Sequence, residues 1–286
     1  MPHDQPVVPV EAADGHAFEL IRVPAACREA SLLFLPGMGI SARHYIGFGR
    51  ALAERGIEVF IHEWRGLGSS TRRAERTVNW GYRELLELDL MAALDTLGEH
   101  HQGPLLLGGH SLGSQFACLL AARHPESCRG IVIVAGGAPY WREFPWAMKL
   151  LLGPAFFAMP SIAAVVGHYP GNRLGFAGRE ARGVVSDWAR TGRSGVYQAP
   201  GLDPGLEVRM AELERPVLGL RLEKDWFVPA GSLAWLTGKL EQCQVRTEMI
   251  PDTDMSAPAD HYGWMHSPEA VSQRIAAWLT DLSETD

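Results

Sequence analysis

A serine between two glycines is the residue in this chain best placed to do chemistry. It stands in Leu105-Leu106-Leu107-Gly108-Gly109-His110-Ser111-Leu112-Gly113-Ser114. The apolar run before it suits a buried strand, and Gln115 to His124 suits a buried helix. A sharp strand-to-helix turn of this spelling holds its serine in a strained backbone conformation, with the hydroxyl exposed for nucleophilic attack. Such a turn needs small neighbours, the role expected of Gly109 and Gly113. The N–H of Leu112 would then point at whatever sits over the Ser111 hydroxyl.

The elements that must position this serine follow in chain order. Pro6 to Val10 and Ala17 to Val23 form two strands of a hairpin around Asp14-Gly15. Ser31 to Leu35 is a fully apolar strand that runs into the loop Pro36-Gly37-Met38-Gly39. Tyr45 to Arg55 suits a helix stopped by Gly56, and Ile57 to His62 the next strand. Apolar residues at helical spacing cover Tyr82 to Leu97. Gly130 to Ala135 is another strand. The alternation implies a mostly parallel sheet covered on both faces.

The pattern breaks from Gly136 to about Glu212. This stretch is rich in aromatics and has no clean strand–helix alternation, so a helical cap is expected over residues 137–212. It divides a core of residues 1–136 and 213–286. Pro216 to Arg221, Ala230 to Leu240, Gln244 to Ile250 and Pro268 to Leu282 resume as strand, helix, strand and helix.

Composition excludes several classes. The formal charge of -7 and the scattered basic residues carry no nucleic-acid footprint. Cys27, Cys118, Cys128 and Cys243 form no C-x-x-C pair, which suits free thiols in a reducing, cytoplasmic setting. The first residues lack the basic-then-apolar pattern of a secretory signal. No His, Cys, Asp or Glu cluster has metal-ligand spacing, and no cofactor is expected. Leu150 to Gly167 is uncharged and long enough to raise the question of a membrane span. Gly153, Pro154 and Pro160 are expected to break it into a lid or a helix pair that contacts a membrane without crossing it.

Four features together resemble the α/β-hydrolase superfamily over nearly the whole chain. They are Leu35-Pro36-Gly37-Met38-Gly39, Arg65-Gly66-Leu67-Gly68-Ser69, Gly109-His110-Ser111-Leu112-Gly113, and Asp225-Trp226-Phe227-Val228-Pro229 followed by a histidine near the C-terminus. Within it, Gly167-His168-Tyr169-Pro170-Gly171-Asn172-Arg173-Leu174-Gly175-Phe176 and His261-Tyr262-Gly263-Trp264 are similar to bacterial serine hydrolases related to monoacylglycerol-lipase-like proteins. Pro36 stands where many members have His, and Glu63 where many have Asp. The resemblance implies an α/β-hydrolase fold with the cap inserted after the sixth core strand.

It also implies a serine–acid–histidine order along the chain. Asp225 fits the acid, four residues before Pro229, with Glu223 its nearest competitor. His261 fits the base, seven residues before Pro268, in preference to His266. Backbone N–H groups of Met38 and Leu112 would form the oxyanion hole. Gly37, His110, Tyr140, Trp141 and Trp226 are candidates to touch substrate. The implied activity is cleavage of a carboxylic ester on an apolar acyl substrate. Acyl transfer, thioester hydrolysis, carbon–carbon bond hydrolysis and a non-catalytic receptor remain alternatives on the same fold. A homodimer is a possible assembly.

Overall fold

The computed structural model describes residues 5–101 and 103–285. Strand β1 (Val7–Glu11) alternates exposed and buried residues and pairs antiparallel with β2 (Ala17–Val23). The turn between them contains Asp14-Gly15, as the hairpin spelling predicts. Strand β3 (Ala30–Leu35) is buried along its whole length. Helix α1 (Ile46–Ala53) and strand β4 (Ile57–Ile61) follow. Helix α2 (Tyr82–Glu84) continues through a π turn, Leu85–Asp89, into α3 (Leu90–His100). Strand β5 (Leu105–His110), helix α4 (Leu112–Arg123) and strand β6 (Gly130–Val134) complete the first run.

Between β6 and the next long strand lies a mostly helical segment. It comprises α5 (Trp146–Val166), a two-strand ribbon of β7 (Tyr169–Pro170) and β8 (Arg179–Glu180) around α6 (Gly171–Leu174), then α7 (Arg182–Ser194) and α8 (Leu206–Glu212). The alternation then resumes with β9 (Pro216–Leu222), α9 (Ala230–Thr237), β10 (Gln244–Ile250) and α10 (Glu269–Thr285).

The main sheet has eight strands in the order β1-β2-β4-β3-β5-β6-β9-β10. Strands β4, β3, β5, β6, β9 and β10 are parallel, and the β1–β2 hairpin joins antiparallel at one edge. One apolar layer, containing Phe48, Trp264, Ile275 and Trp278, holds α1 and α10 to one face. The other, containing Leu90, Phe116, Leu206 and Leu236, holds α3, α4, α8 and α9 to the opposite face. Both faces of the central strands are therefore dry, which is why they read as continuous apolar runs. The chain leaves β3 toward β4 on one side and returns to β5 on the other. That reversal leaves a crevice beyond the carboxyl ends of β3 and β5, where ligands bind in open sheets of this kind.

Two local outcomes differ from expectation. Residues 82–97 were expected as one regular helix, but the π turn inserts a residue and swings Asp89 into the interior. There the Asp89 carboxylate takes both Nε (2.9 Å) and Nη2 (2.5 Å) of Arg65, and lies 3.0 Å from His16 Nδ1. Arg65 Nη1 also reaches Asp14 at 2.6 Å. The network ties the edge hairpin to the Arg65-Gly66-Leu67-Gly68 loop and to the α3 region.

The second difference concerns α5. Gly153, Pro154 and Pro160 do not divide it: the helix is continuous from Trp146 to Val166. Pro160 has no N–H to offer the Phe156 carbonyl, and Arg193 from α7 donates to that carbonyl instead. Leu150, whose carbonyl Pro154 cannot serve, lies on the exposed side of the helix. The chain then turns sharply at Gly167, in a left-handed conformation (φ 98°).

Replacing Arg65 by Ala strands Asp89 in the interior with only His16 beside it. The expected loss is about 3–5 kcal/mol of unfolding free energy. Urea denaturation of the variant beside the parent protein measures it.

Candidate active site

The turn at Ser111 carries the strain that its spelling predicts. Ser111 has φ 53° and ψ −118°, a positive-φ conformation rare for a residue with a side chain. A Cβ at Gly109 would collide with the backbone of Gly113, and one at Gly113 with the backbone of Leu35 and Pro36. Only glycine lets β5, α4 and the end of β3 pass this closely. Ser114 adds a clamp by donating its hydroxyl to the Gly109 carbonyl at 2.8 Å.

Two loops from the other half of the chain meet this serine. His261 Nε2 lies 3.1 Å from Ser111 Oγ. On the far side of the ring, His261 Nδ1 lies 2.9 Å from Asp225 Oδ2. The remaining Asp225 oxygen accepts the N–H groups of Phe227 (2.9 Å) and Val228 (3.1 Å). The carboxylate is thus fixed in direction, and it selects the tautomer with the proton on Nδ1. Nε2 is then the acceptor for the serine proton. The loops are also tied to each other, because Lys224 N–H donates to the Ala259 carbonyl at 2.8 Å. Asp260 fixes the turn after the histidine by accepting the N–H groups of Tyr262 and Gly263. Phe227 and Tyr262 each place a ring 4.9 Å from the His261 ring and restrict its tilt.

The two competitors lie elsewhere. Glu223 accepts the Asp252 N–H at 2.7 Å and has no contact with His261. His266 is exposed in the turn before α10.

Met38 and Leu112 both line the cavity beside Ser111. Neither N–H donates a hydrogen bond to another described residue. The loop bearing Met38 is anchored one residue earlier. Gly37 N–H donates to Tyr45 Oη at 2.9 Å, and that hydroxyl lies 2.7 Å from His110 Nδ1. Burial holds the His110 imidazole well below its usual range and drives the Tyr45 phenol up, so both are neutral. The tyrosine therefore donates to His110 while accepting from Gly37. Sequence inspection gave Tyr45 no role beyond opening a helix.

A second brace comes from the β7–β8 ribbon. The Gly178 backbone fills the space that a side chain on Gly39 would need. Glu180 accepts the Gly178 N–H at 3.1 Å, and burial pushes its carboxyl up to about 7. At the other end of the same loop Glu63, where the family more often has Asp, accepts Ser41 Oγ (2.9 Å) and Ala42 N–H (3.1 Å).

The cavity over Ser111 has a volume of about 440 Å³ and is largely apolar. Of the expected contact residues, Gly37 and Trp226 line it. Three others do not. His110 lies behind the serine, its ring 4.6 Å from that of His261. Tyr140 is turned away to pack on Trp235 at 4.5 Å, and Trp141 packs beside Arg142. The walls come instead from Met148, Leu152, Phe156 and Met159 on α5, with Phe176, Trp188 and Phe227 around them. The spacing 148, 152, 156, 159 is a helical face, and would have been readable had the prolines not suggested a break. Gln115 was also missed. It lines the cavity one turn after Ser111, and its Oε1 is buried with no partner. Nothing in an all-buried helix marks such a residue in advance.

A family model described as serine aminopeptidase, S33 matches residues 26–184. Chloroplastic pheophytinase of Arabidopsis thaliana is 28% identical over 141 residues, 40% of this chain, and the match spans 28% of that protein's length. Haloalkane dehalogenase DbeA from Bradyrhizobium elkani USDA94 superposes with a TM-score of 0.66 at 17% identity, over 99% of this chain and 100% of its own. The esterase domain of a Rhodothermus marinus protein gives 0.63 at 18% identity, over 96% and 98%. A membrane phospholipase A described as a bacterial virulence factor gives 0.62 at 17%, over 98% and 87%. At these identities the structural likeness is one of fold: the α/β-hydrolase fold, with its mostly parallel eight-stranded sheet.

Two outcomes test the braces. Tyr45→Phe removes the hydroxyl that holds Gly37. On any substrate the protein turns over, kcat is expected to fall about tenfold or more with KM little changed, as for a group that positions a transition-state donor. Steady-state kinetics on the purified variant would read it. Glu180 sets a pH dependence. Its folded-state value lies above the ordinary 4.5, so stability falls as pH rises between about 4.5 and 7. Glu180→Gln should therefore be the more stable protein at pH 8, by up to about 3 kcal/mol, and equal to the parent near pH 4. Thermal unfolding across that range checks the sign.

Proposed function

Because the chain belongs to the serine aminopeptidase S33 family of α/β-hydrolases, we propose that it is a serine hydrolase that cleaves carboxylic esters through an acyl-enzyme. The observation that carries this reading is the line Ser111 Oγ–His261 Nε2 (3.1 Å) and His261 Nδ1–Asp225 Oδ2 (2.9 Å). A serine hydroxyl is a poor nucleophile at neutral pH without a base so placed. His261 accepts the Ser111 proton as Oγ attacks the acyl carbonyl. The Met38 and Leu112 N–H groups hold the oxyanion, each worth about 3–4 kcal/mol in the transition state. His261 then protonates the leaving alcohol. A water molecule, deprotonated by the same histidine, releases the acid and restores the serine.

The lining supports an ester over the alternatives. Among the described residues no Asp or Glu lines the cavity, so none of them is placed there to receive the free amino group that an aminopeptidase must recognise. Dehalogenation on this fold needs a carboxylate at the elbow, and this chain has Ser111. Pheophytinase, matched over 28% of its length, and the esterase domain, alike in fold, share too little sequence with this chain to lend it their substrates. The apolar walls suit an acyl chain, with α5, the ribbon and α7 acting as a cap over residues 137–212. The expected setting is cytoplasmic.

The first assay is turnover of p-nitrophenyl esters from acetate to dodecanoate by the parent protein and by Ser111→Ala. The rate is expected to rise from acetate to a medium-chain ester. Ser111→Ala should lose at least about 10³-fold while keeping the parent's unfolding midpoint. Equal turnover by the two proteins would remove Ser111 from the mechanism.

A further inference from the structure

Helix α5 has no polar face. Its inward side walls the cavity, and its outward side is also apolar. Trp146, Leu150, Phe157 and Val165 point outward with 76%, 69%, 66% and 74% of their surface exposed. These residues recur every four to eight positions along one stripe. Lys149 is the only charged residue in the 21-residue helix. Mean hydropathy reaches 1.7 over a window of which 17% is buried. An ordinary surface helix in water carries charge on its outer side. A contiguous apolar surface of this kind marks a contact with something other than water.

The patch is continuous with the cavity mouth. Leu151, Leu174, Trp226 and Tyr262 both line the cavity and are 59%, 54%, 56% and 41% exposed. Basic side chains frame it. Arg142 precedes α5, Lys149 lies within it, Arg173 stands beside Leu174, and Arg76 donates to the Val165 carbonyl at its far end. Among the described residues none of these four forms an ion pair. Glu75 and Glu143 are the acidic residues adjoining them. This local excess of positive charge stands out in a chain of net charge -7.

We propose that the α5 face seats the protein on an anionic lipid bilayer, lying in the interface with the cavity mouth toward the acyl chains. An apolar stripe framed by Lys and Arg, with Trp and Tyr at its edge, fits the headgroup boundary of such a surface. The helix does not cross the bilayer. Phe156 fills the space beside Gly192, and Met159 and Ala163 pack with Tyr169 and Val185, so withdrawing α5 would strip the wall of the cavity. A lipid surface would present long-chain acyl compounds directly to the mouth. The surface contact goes beyond the catalytic reading and stands without it.

The test uses the full chain carrying Ser111→Ala, so that binding is measured without turnover. Sedimentation with vesicles of phosphatidylcholine and phosphatidylglycerol should pull the protein down, and phosphatidylcholine alone should do so at least about tenfold less well. Adding Leu150→Asp and Val165→Asp should abolish sedimentation. Adding Arg142→Glu and Arg173→Glu instead should weaken it about tenfold or more and remove the preference for anionic lipid. In the Ser111 background, Leu150→Asp with Val165→Asp should leave turnover of a short soluble ester unchanged, since neither residue lines the cavity. Failure to sediment with anionic vesicles overturns the proposal. So does sedimentation that survives Leu150→Asp with Val165→Asp. A dimer in sedimentation velocity that those two substitutions dissociate, without vesicle binding, would assign the face to a second copy of the chain.

Discussion

At the ends of β3 and β5 the backbones pass so closely that no side chain fits between them. Gly113 lies against the backbone of Leu35 and Pro36, and Gly109 against that of Gly113. The contact fixes three things at once. It forces Ser111 into its positive-φ conformation. It brings the Gly37–Met38 loop beside the first turn of α4. It also sets the start of α4, whose first N–H groups have no carbonyl of their own helix to serve. A larger residue at either glycine would move nucleophile and donors apart together. The strain at Ser111 persists because the buried sheet on both sides holds it.

The surroundings of the site are arranged to keep charge out until chemistry brings it in. Behind the serine stand a neutral histidine and a neutral tyrosine, His110 and Tyr45, whose hydrogen bonds are directional and carry no net charge. In front stands an apolar wall. His261 lines the cavity with Asp225 behind it, and that carboxylate is saturated by two backbone donors and one ring nitrogen. A charge that develops on a substrate oxygen in such a place is stabilised by fixed dipoles rather than by water, and those dipoles do not reorient.

Much of this was legible in the sequence, for reasons that differ by element. Strands β3, β5, β6 and β9 are mostly apolar because both faces are covered, so each stood out as a short run between turn residues. Ser111 was legible because its neighbours have to be glycine. Asp225 and His261 were found through the resemblance and not from local pattern, since the contact between them spans two loops that the chain alone does not join. The substrate walls were the least legible. Tyr140 and Trp141 are among the aromatics that mark the cap, but aromatics also serve as packing, and Tyr140 packs on Trp235. Tyr45 acts through the Gly37 N–H and His110, Glu180 through the N–H of its neighbour Gly178, and Gln115 only lines the cavity; none of the three leaves a periodic trace. The prolines of α5 misled for a physical reason. The cost of a proline inside a helix falls when the carbonyl it strands finds another donor, and for Pro160 that donor is Arg193.

Helix α5 is apolar on every side, so hydrophobicity does not tell it which way to face. An amphipathic helix that rotated by a third of a turn would bury charge and expose its core stripe; α5 would exchange one apolar row for another. Its azimuth is set by shape and by polar anchors: the hollow at Gly192 that receives the Phe156 ring, and the guanidinium groups of Arg193 and Arg76 on the Phe156 and Val165 carbonyls. A side chain at position 192 would evict the ring and leave the helix free to seek another angle. The contour of the cavity is therefore keyed by a glycine on a neighbouring helix that never touches it.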